Sequence, residues 1–144
     1  MTTKQYLQQI YQIHQRVMRL QAQREQIRAE LYSIGSPSGK MDADKVQTSL
    51  SGDTMLRLIA KVDEVERGIV AEMEELLELQ HRITKEIEQL PNEQQRDVLF
   101  QRYVLFKKWE QIAVDMNYTI RRVYQLHGEA LESFKHCIVF HHDT

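Results

Sequence analysis

One cysteine, two prolines, five glycines and one tryptophan among 144 residues exclude several kinds of protein at once. A lone cysteine rules out a disulfide framework within the chain and fits a reducing compartment, so the expected location is the cytoplasm. Few glycines and prolines, with abundant Gln, Glu, Leu and Arg, leave an all-α fold as the expectation. The first thirty residues hold no long apolar run, which predicts neither a signal peptide nor a membrane span, and no membrane partner. The chain also lacks a phosphate-binding loop, a nucleophile–base pair and a metal-ligand set. No enzymatic activity and no cofactor are therefore expected. His136, Cys137, His141 and His142 come close to a metal set, but their spacing fits no usual zinc pattern and a second cysteine is missing. At 42% hydrophobic, the chain can hold one ordinary domain or two small modules.

A net charge of −2 conceals a division along the chain. Residues 1–34 carry five cations against two anions, whereas residues 53–90 carry five cations against ten anions. A basic helix followed by an acidic one predicts that the two pair with each other. Residues 92–144 hold seven cations and seven anions. That balance argues against strong sequence-independent affinity for nucleic acid, because phosphate neutralisation supplies most of it.

Apolar residues in the first half recur by fours and threes. Tyr6, Ile10, Ile13, Val17, Leu20, Ile27, Leu31 and Ile34 form one stripe, with Arg24 as its polar exception. Met55, Ile59, Val62, Ile69, Met73, Leu76, Ile83, Ile87 and Leu90 form the other, with Glu66 and Gln80 as exceptions. Sustained 4-3 spacing marks a coiled-coil seam. The run Gly35-Ser-Pro-Ser-Gly39 should stop the first helix, and Thr48–Asp53 offers caps for the second. The expectation is an antiparallel helical hairpin over 1–89 with a loop at about 35–53. Matching the seams brings Arg24 opposite Glu66. Leu7, Tyr11, Met18, Leu58, Val65 and Leu79 flank the seams and exceed what one hairpin buries. Either the hairpin folds back on the rest of the chain or two copies join through these residues; a homodimer is the favoured expectation.

The segment Leu90–Phe134 reads as three helices. Pro91 suits a first helical position, and Leu99, Tyr103 and Phe106 fall on one face. A second helix is predicted over 109–116, with Ile112 and Ala113 inward and Asn117 ending it in the left-handed region. Thr119 caps a third, in which Val123, Leu126, Ala130, Leu131 and Phe134 form the apolar stripe. Arg121, Arg122, Tyr124, Gln125 and Gly128 then face outward. A turn of three or four residues and the small Ala113 at the crossing are what a helix-turn-helix requires. Its outward face offers donors for base edges and phosphates.

Leu90-Pro91, Arg96, Val98-Leu99, Arg102-Tyr103, Trp109, Ile112-Ala113, Thr119, Val123, Gln125 and Ala130-Leu131 make this segment resemble region 4 of sigma-70-type RNA polymerase sigma factors. In that family the last helix reads the −35 promoter element. A second pattern, Val46-Gln47-Thr48-Ser49, Asp53, Arg102-Tyr103, Trp109, His127-Gly128 and Ala130-Leu131, makes nearly the whole chain similar to small Firmicutes phage proteins grouped with the ArpU/RinA-type transcriptional regulators. These resemblances imply a helix-turn-helix domain at 90–135 with a short tail at 136–144. They imply double-stranded DNA as partner, with RNA polymerase as a further one. The implied DNA-contacting residues are Thr119, Ile120, Arg121, Arg122, Tyr124, Gln125 and Gly128, with Lys107 and Lys108. Ile120 and Tyr124 stand where sigma factors often carry Arg. The expected function is a sequence-specific, phage-encoded transcriptional regulator. The alternative is a phage DNA-packaging or scaffold subunit, similar to a terminase small subunit, that oligomerises through the hairpin.

Overall fold

A computed structural model describes the backbone over residues 1–35 and 45–142, and side chains over 1–35 and 52–138. Among the described residues the chain is all-helical. In order it comprises α1 (Thr3–Gly35), α2 (Lys45–Glu88), α3 (Glu93–Leu99), a π-helical turn over Phe100–Val104, α4 (Trp109–Met116) and α5 (Ile120–His142). No described helix is long and apolar enough to cross a membrane.

The chain forms two compact units, and the boundary does not fall at residue 90. One unit joins Met1–His14 to Glu75–Thr144; the other is Gln15–Glu74. Long helices divide where their partners change, and α1 contributes residues to both units.

In the Gln15–Glu74 unit, Ile27, Val65 and Ile69 form the core, with Leu20, Leu31, Leu58, Val62 and Met73 packed against it. Contact numbers fall on α2 as they rise on α1. Arg16 pairs with Glu72 at 3.3 Å, a Cβ on Gly68 would sit 3.6 Å from Leu20, and one on Gly35 would sit 3.8 Å from Met55. The polar partners differ from the predicted ones. Glu66 accepts from Arg28 at 2.7 Å, and Arg24 lies 3.5 Å from its own neighbour Glu25. Arg28 and Glu66 are both half-exposed, so their attraction is retained without desolvating either charge.

The α2 seam also runs differently. Val65 is buried and Leu58 packs beside it, whereas Ile59 is half-exposed. An α-helix turns 3.6 residues at a time, so a strict 4-3 stripe drifts off the contact face within a few turns. The second helix starts at Lys45, eight residues before the expected end of the loop at Asp53. The Ser/Thr/Gly stretch is helical because extending a formed helix gains one hydrogen bond per residue fixed. Positions 36–44 of the predicted loop lie outside the described residues.

In the other unit, Leu7, Ile10, Ile83, Ile87, Leu90, Val98 and Leu99 are fully buried. The Tyr6 hydroxyl donates to the buried Glu86 carboxylate at 2.5 Å, and the Tyr6 ring lies 6.1 Å from Phe134. Tyr11 and His14 hold the Phe106 ring at 5.4 and 4.9 Å. Thus the first fourteen residues cover the C-terminal helices, which is the fold-back arrangement rather than a free hairpin base.

Local signals place the remaining helices. Asn92 caps α3 by accepting the Gln95 N–H at 3.0 Å, so Pro91 lies just before the cap and not inside the helix. The Arg96 guanidinium donates to the Leu90 carbonyl at 2.6 Å, tying down the α2–α3 connection. After the π-helical turn, Phe106 adopts φ 59°, which ends the helical run there. α5 continues to His142 with Ile138 buried, because Phe134 and Ile138 extend the apolar stripe by one more turn. The predicted tail from residue 136 is helical as far as it is described.

Removing the Tyr6 hydroxyl leaves the buried Glu86 carboxylate short of a donor. Tyr6→Phe should lower unfolding free energy by about 1–2 kcal/mol, read as a reduced urea midpoint at an unchanged m-value.

Candidate nucleic-acid interface

α4 and α5 pack together through residues the pattern places correctly. Ile112 and Ala113 on α4, and Val123, Leu126, Ala130 and Phe134 on α5, are all buried. Asn117 closes α4 at φ 58°, ψ 42°, and the backbone amides of Asn117 and Tyr118 return to Val114 and Ala113. Asparagine tolerates this left-handed conformation better than most residues. Thr119 Oγ1 then accepts the Arg122 N–H at 3.1 Å and starts α5. The chain therefore reverses between two helices in three residues.

Opposite the packed stripe, Ile120, Arg121, Tyr124, Gln125 and Gly128 are exposed at spacings of one, three and four, which place them on one helical face. A Cβ added at Gly128 would meet nothing within 4 Å, so no packing within the chain requires this glycine. A glycine inside a helix costs about 1 kcal/mol relative to alanine. Tyr124 leans edge-on against Trp109 at 5.3 Å, which limits its freedom. The Arg122 guanidinium lies 5.8 Å from the Tyr118 ring centre.

The other predicted contacts divide. Lys108 is exposed at the N-cap of α4, where no side chain caps the helix. Lys107 is engaged: its ammonium meets Asp115 at 2.9 Å, and Gln111 donates to the same carboxylate at 2.8 Å. Those two hydrogen bonds, Lys107 first, hold the Asp115 carboxyl below its usual pKa. The Thr119 hydroxyl is occupied by the α5 cap.

Residues proposed from the sequence to join two copies are dispersed. Leu7, Val65 and Leu79 are buried inside the chain at 0, 4 and 5% exposure. They serve its own core, which corrects the expectation that they form a free surface. Leu58 is half-buried, and Tyr11 and Met18 are half-exposed.

Behind the exposed face lies a polar pair that spacing gave no reason to connect. The Tyr103 hydroxyl and His127 Nε2 are 2.6 Å apart, with both residues buried. Trp109 meets the His127 ring edge-on at 4.6 Å. Arg102 stacks over Trp109 at 4.4 Å and donates to the Lys107 carbonyl at 2.9 Å. Burial depresses the His127 pKa to about 4, with Lys4 and Arg102 adding positive potential. Burial raises the Tyr103 hydroxyl to about 12. His127 is thus neutral, and its Nε2 shares one hydrogen bond with the Tyr103 hydroxyl. Among the described residues no three His, Cys, Asp or Glu side chains come together as metal ligands.

No family model, curated protein or solved structure matches the chain.

The His127 shift has a defined pH signature. An unfolded histidine binds its proton near pH 6.5, while the folded one resists it down to about 4. Its contribution is complete above pH 6.5 and is lost as pH falls from there toward 4. The loss should be on the order of 2 kcal/mol once solvent screening is allowed for. Urea unfolding at pH 7.5 and pH 5 should show a smaller acid loss in His127→Gln than in the wild type. Equal losses would assign the effect to other groups.

Proposed function

We propose that this chain is a sequence-specific DNA-binding transcriptional regulator whose α4–α5 pair is a helix-turn-helix with α5 as its recognition helix. The observation that carries this reading is the exposed face Ile120–Arg121–Tyr124–Gln125–Gly128 on a helix anchored on its opposite side. Gln125 can pair bidentately with adenine, Arg121 can donate to guanine or phosphate, and Arg122 lies toward the DNA backbone. The open flank of Gly128 admits a close backbone approach where any side chain would stand off. The resemblance to sigma region 4 and to phage regulators of the ArpU/RinA type agrees in kind, with RNA polymerase as a further partner. With the two long helices as an antiparallel hairpin, two copies would present two recognition helices to paired half-sites, multiplying a weak single-site affinity.

Selection from a random duplex pool, followed by titration of the enriched sites, tests this. A short motif should emerge. Gln125→Ala should lose about 1–3 kcal/mol of discrimination at one base position and leave the others unchanged. With Lys108, Arg121 and Arg122 as the exposed cations at the start of α4 and in the first turn of α5, the logarithmic salt slope should be shallow, on the order of −3 per copy. Enrichment of no motif would overturn the reading, and a large ring that binds duplexes indifferently would favour a DNA-packaging subunit.

Gly128→Ala provides a second test, because its two effects have opposite signs. Helix propensity should raise unfolding free energy by about 1 kcal/mol, while the added methyl weakens binding to all enriched sites together. A stabilised protein with unchanged DNA affinity would remove Gly128 from the interface.

A further inference from the structure

Within the unit that joins Met1–His14 to Glu75–Thr144, a cleft of about 610 Å³ opens between the amino-terminal part of α1 and the chain leading into α4. Small-molecule sites commonly enclose roughly 300–1,000 Å³. Gln8, Tyr11 and Gln12 line the cleft from one face of α1. The rest of its wall is Arg102 and Tyr103 from the π-helical turn, the left-handed Phe106, and Lys108 at the N-cap of α4.

The charge of this cleft is one-sided. None of its lining residues is acidic, and among the described residues neither Arg102 nor Lys108 enters an ion pair, in a chain with 21 acidic and 19 basic side chains. The Arg102 guanidinium is held in place by the Lys107 carbonyl, to which Nη1 donates at 2.9 Å, and by Trp109 beneath it at 4.4 Å. Its remaining N–H groups are uncommitted. Two cations beside one cleft without a counter-ion repel each other, and an anion between them would remove that cost. The start of α4 adds positive potential at the Lys108 end. The aromatic part is equally defined. Tyr11 and Phe106 meet edge to face at 5.4 Å, and Tyr103 offers only its ring because its hydroxyl is bonded to His127. Gln8 and Gln12, one turn apart, each bring an amide that both donates and accepts.

These features narrow the ligand. A cation has no partner here, and a single carboxylate would leave one of the two positive charges uncompensated. A phosphate monoester carries about −1.5 to −2 near pH 7 and balances both. An inorganic ion would use neither the rings nor the amides, whereas a heterocyclic base presents flat faces to the first and donor and acceptor edges to the second. We infer that this cleft binds a small phosphate monoester of the nucleoside monophosphate class, with the phosphate between Arg102 and Lys108 and the base against Tyr11 and Phe106. Gln8 and Gln12 then meet the edge of the base. A base stacked inside a duplex cannot enter, so this site is separate from the reading of DNA by α5. It is measured without DNA, and its failure would leave that reading standing.

Calorimetric titration of the full chain with adenosine monophosphate tests the inference, at about 50 mM salt so that screening is weak. A dissociation constant on the order of 100 µM is expected, with inorganic phosphate and adenosine each at least about tenfold weaker, because each supplies half of the contacts. Lys108→Gln should weaken binding about tenfold, and Gln12→Glu, which brings a carboxylate into the cleft, by a similar factor. Both side chains are exposed, so helical content should be unchanged in either variant. Gln125→Ala should bind the nucleotide as the wild type does. The single tryptophan, Trp109, lies under Arg102, and its fluorescence should change on saturation. No binding up to about 5 mM would overturn the proposal. So would inorganic phosphate binding as tightly as the nucleotide, which would mean an adventitious ion only, or an affinity unchanged by either cleft variant. A short single-stranded oligonucleotide that binds where the monophosphate does not would also overturn it.

Discussion

The buried hydrogen bond between Tyr103 and His127 is the constraint around which the C-terminal helices are arranged. It links the π-helical turn to the middle of α5 at 2.6 Å, across a site from which water is largely excluded. A polar pair in such a place is costly unless both members are satisfied, so it selects one relative placement of the two segments. Trp109 packs against the imidazole from the start of α4, and Arg102 covers Trp109 while holding the Lys107 carbonyl. Three helical segments are thereby fixed by one polar contact and its aromatic surround. The exposed face of α5 inherits that rigidity, since Tyr124 rests on the same tryptophan.

This arrangement accounts for several features that local preference opposes. Phe106 takes a left-handed backbone conformation, which is uncommon for a bulky residue. It is retained because Tyr11 and His14 enclose its ring. Lys107 is drawn into a bond with Asp115 and ties the segment just before α4 to the last turn of that helix. The amino-terminal residues therefore complete the C-terminal core rather than standing apart from it. Tyr6 acts in the same way, its hydroxyl supplying a donor to the buried Glu86 and its ring lying beside Phe134.

Charge acts differently in the other unit. There the ion pairs lie in the half-exposed margins: Arg16 with Glu72 and Arg28 with Glu66. Their individual contributions are small because water screens them, but they bias the alignment of a basic helix on an acidic one. The apolar core of Ile27, Val65 and Ile69 supplies the cohesion.

The sequence by itself determined the elements whose causes are local. The α4 limits and the start of α5, the left-handed Asn117, the Thr119 cap, the buried Ile112, Ala113, Val123 and Leu126, and the exposure of Arg121, Tyr124, Gln125 and Gly128 all follow from periodicity and capping within about thirty residues. Tertiary structure decided whatever depended on a distant partner. Spacing could not show that Leu7 and Leu79 are consumed by the chain's own core, or that the seam passes through Leu58 and Val65 and leaves Ile59 in water. Nor could it pair Tyr103 with His127, or give Glu66 to Arg28 instead of Arg24. The reason is the same in each case. A helical stripe specifies which residues seek cover, but a 3.6-residue turn leaves two neighbouring faces nearly equivalent, and only the packed partner chooses between them.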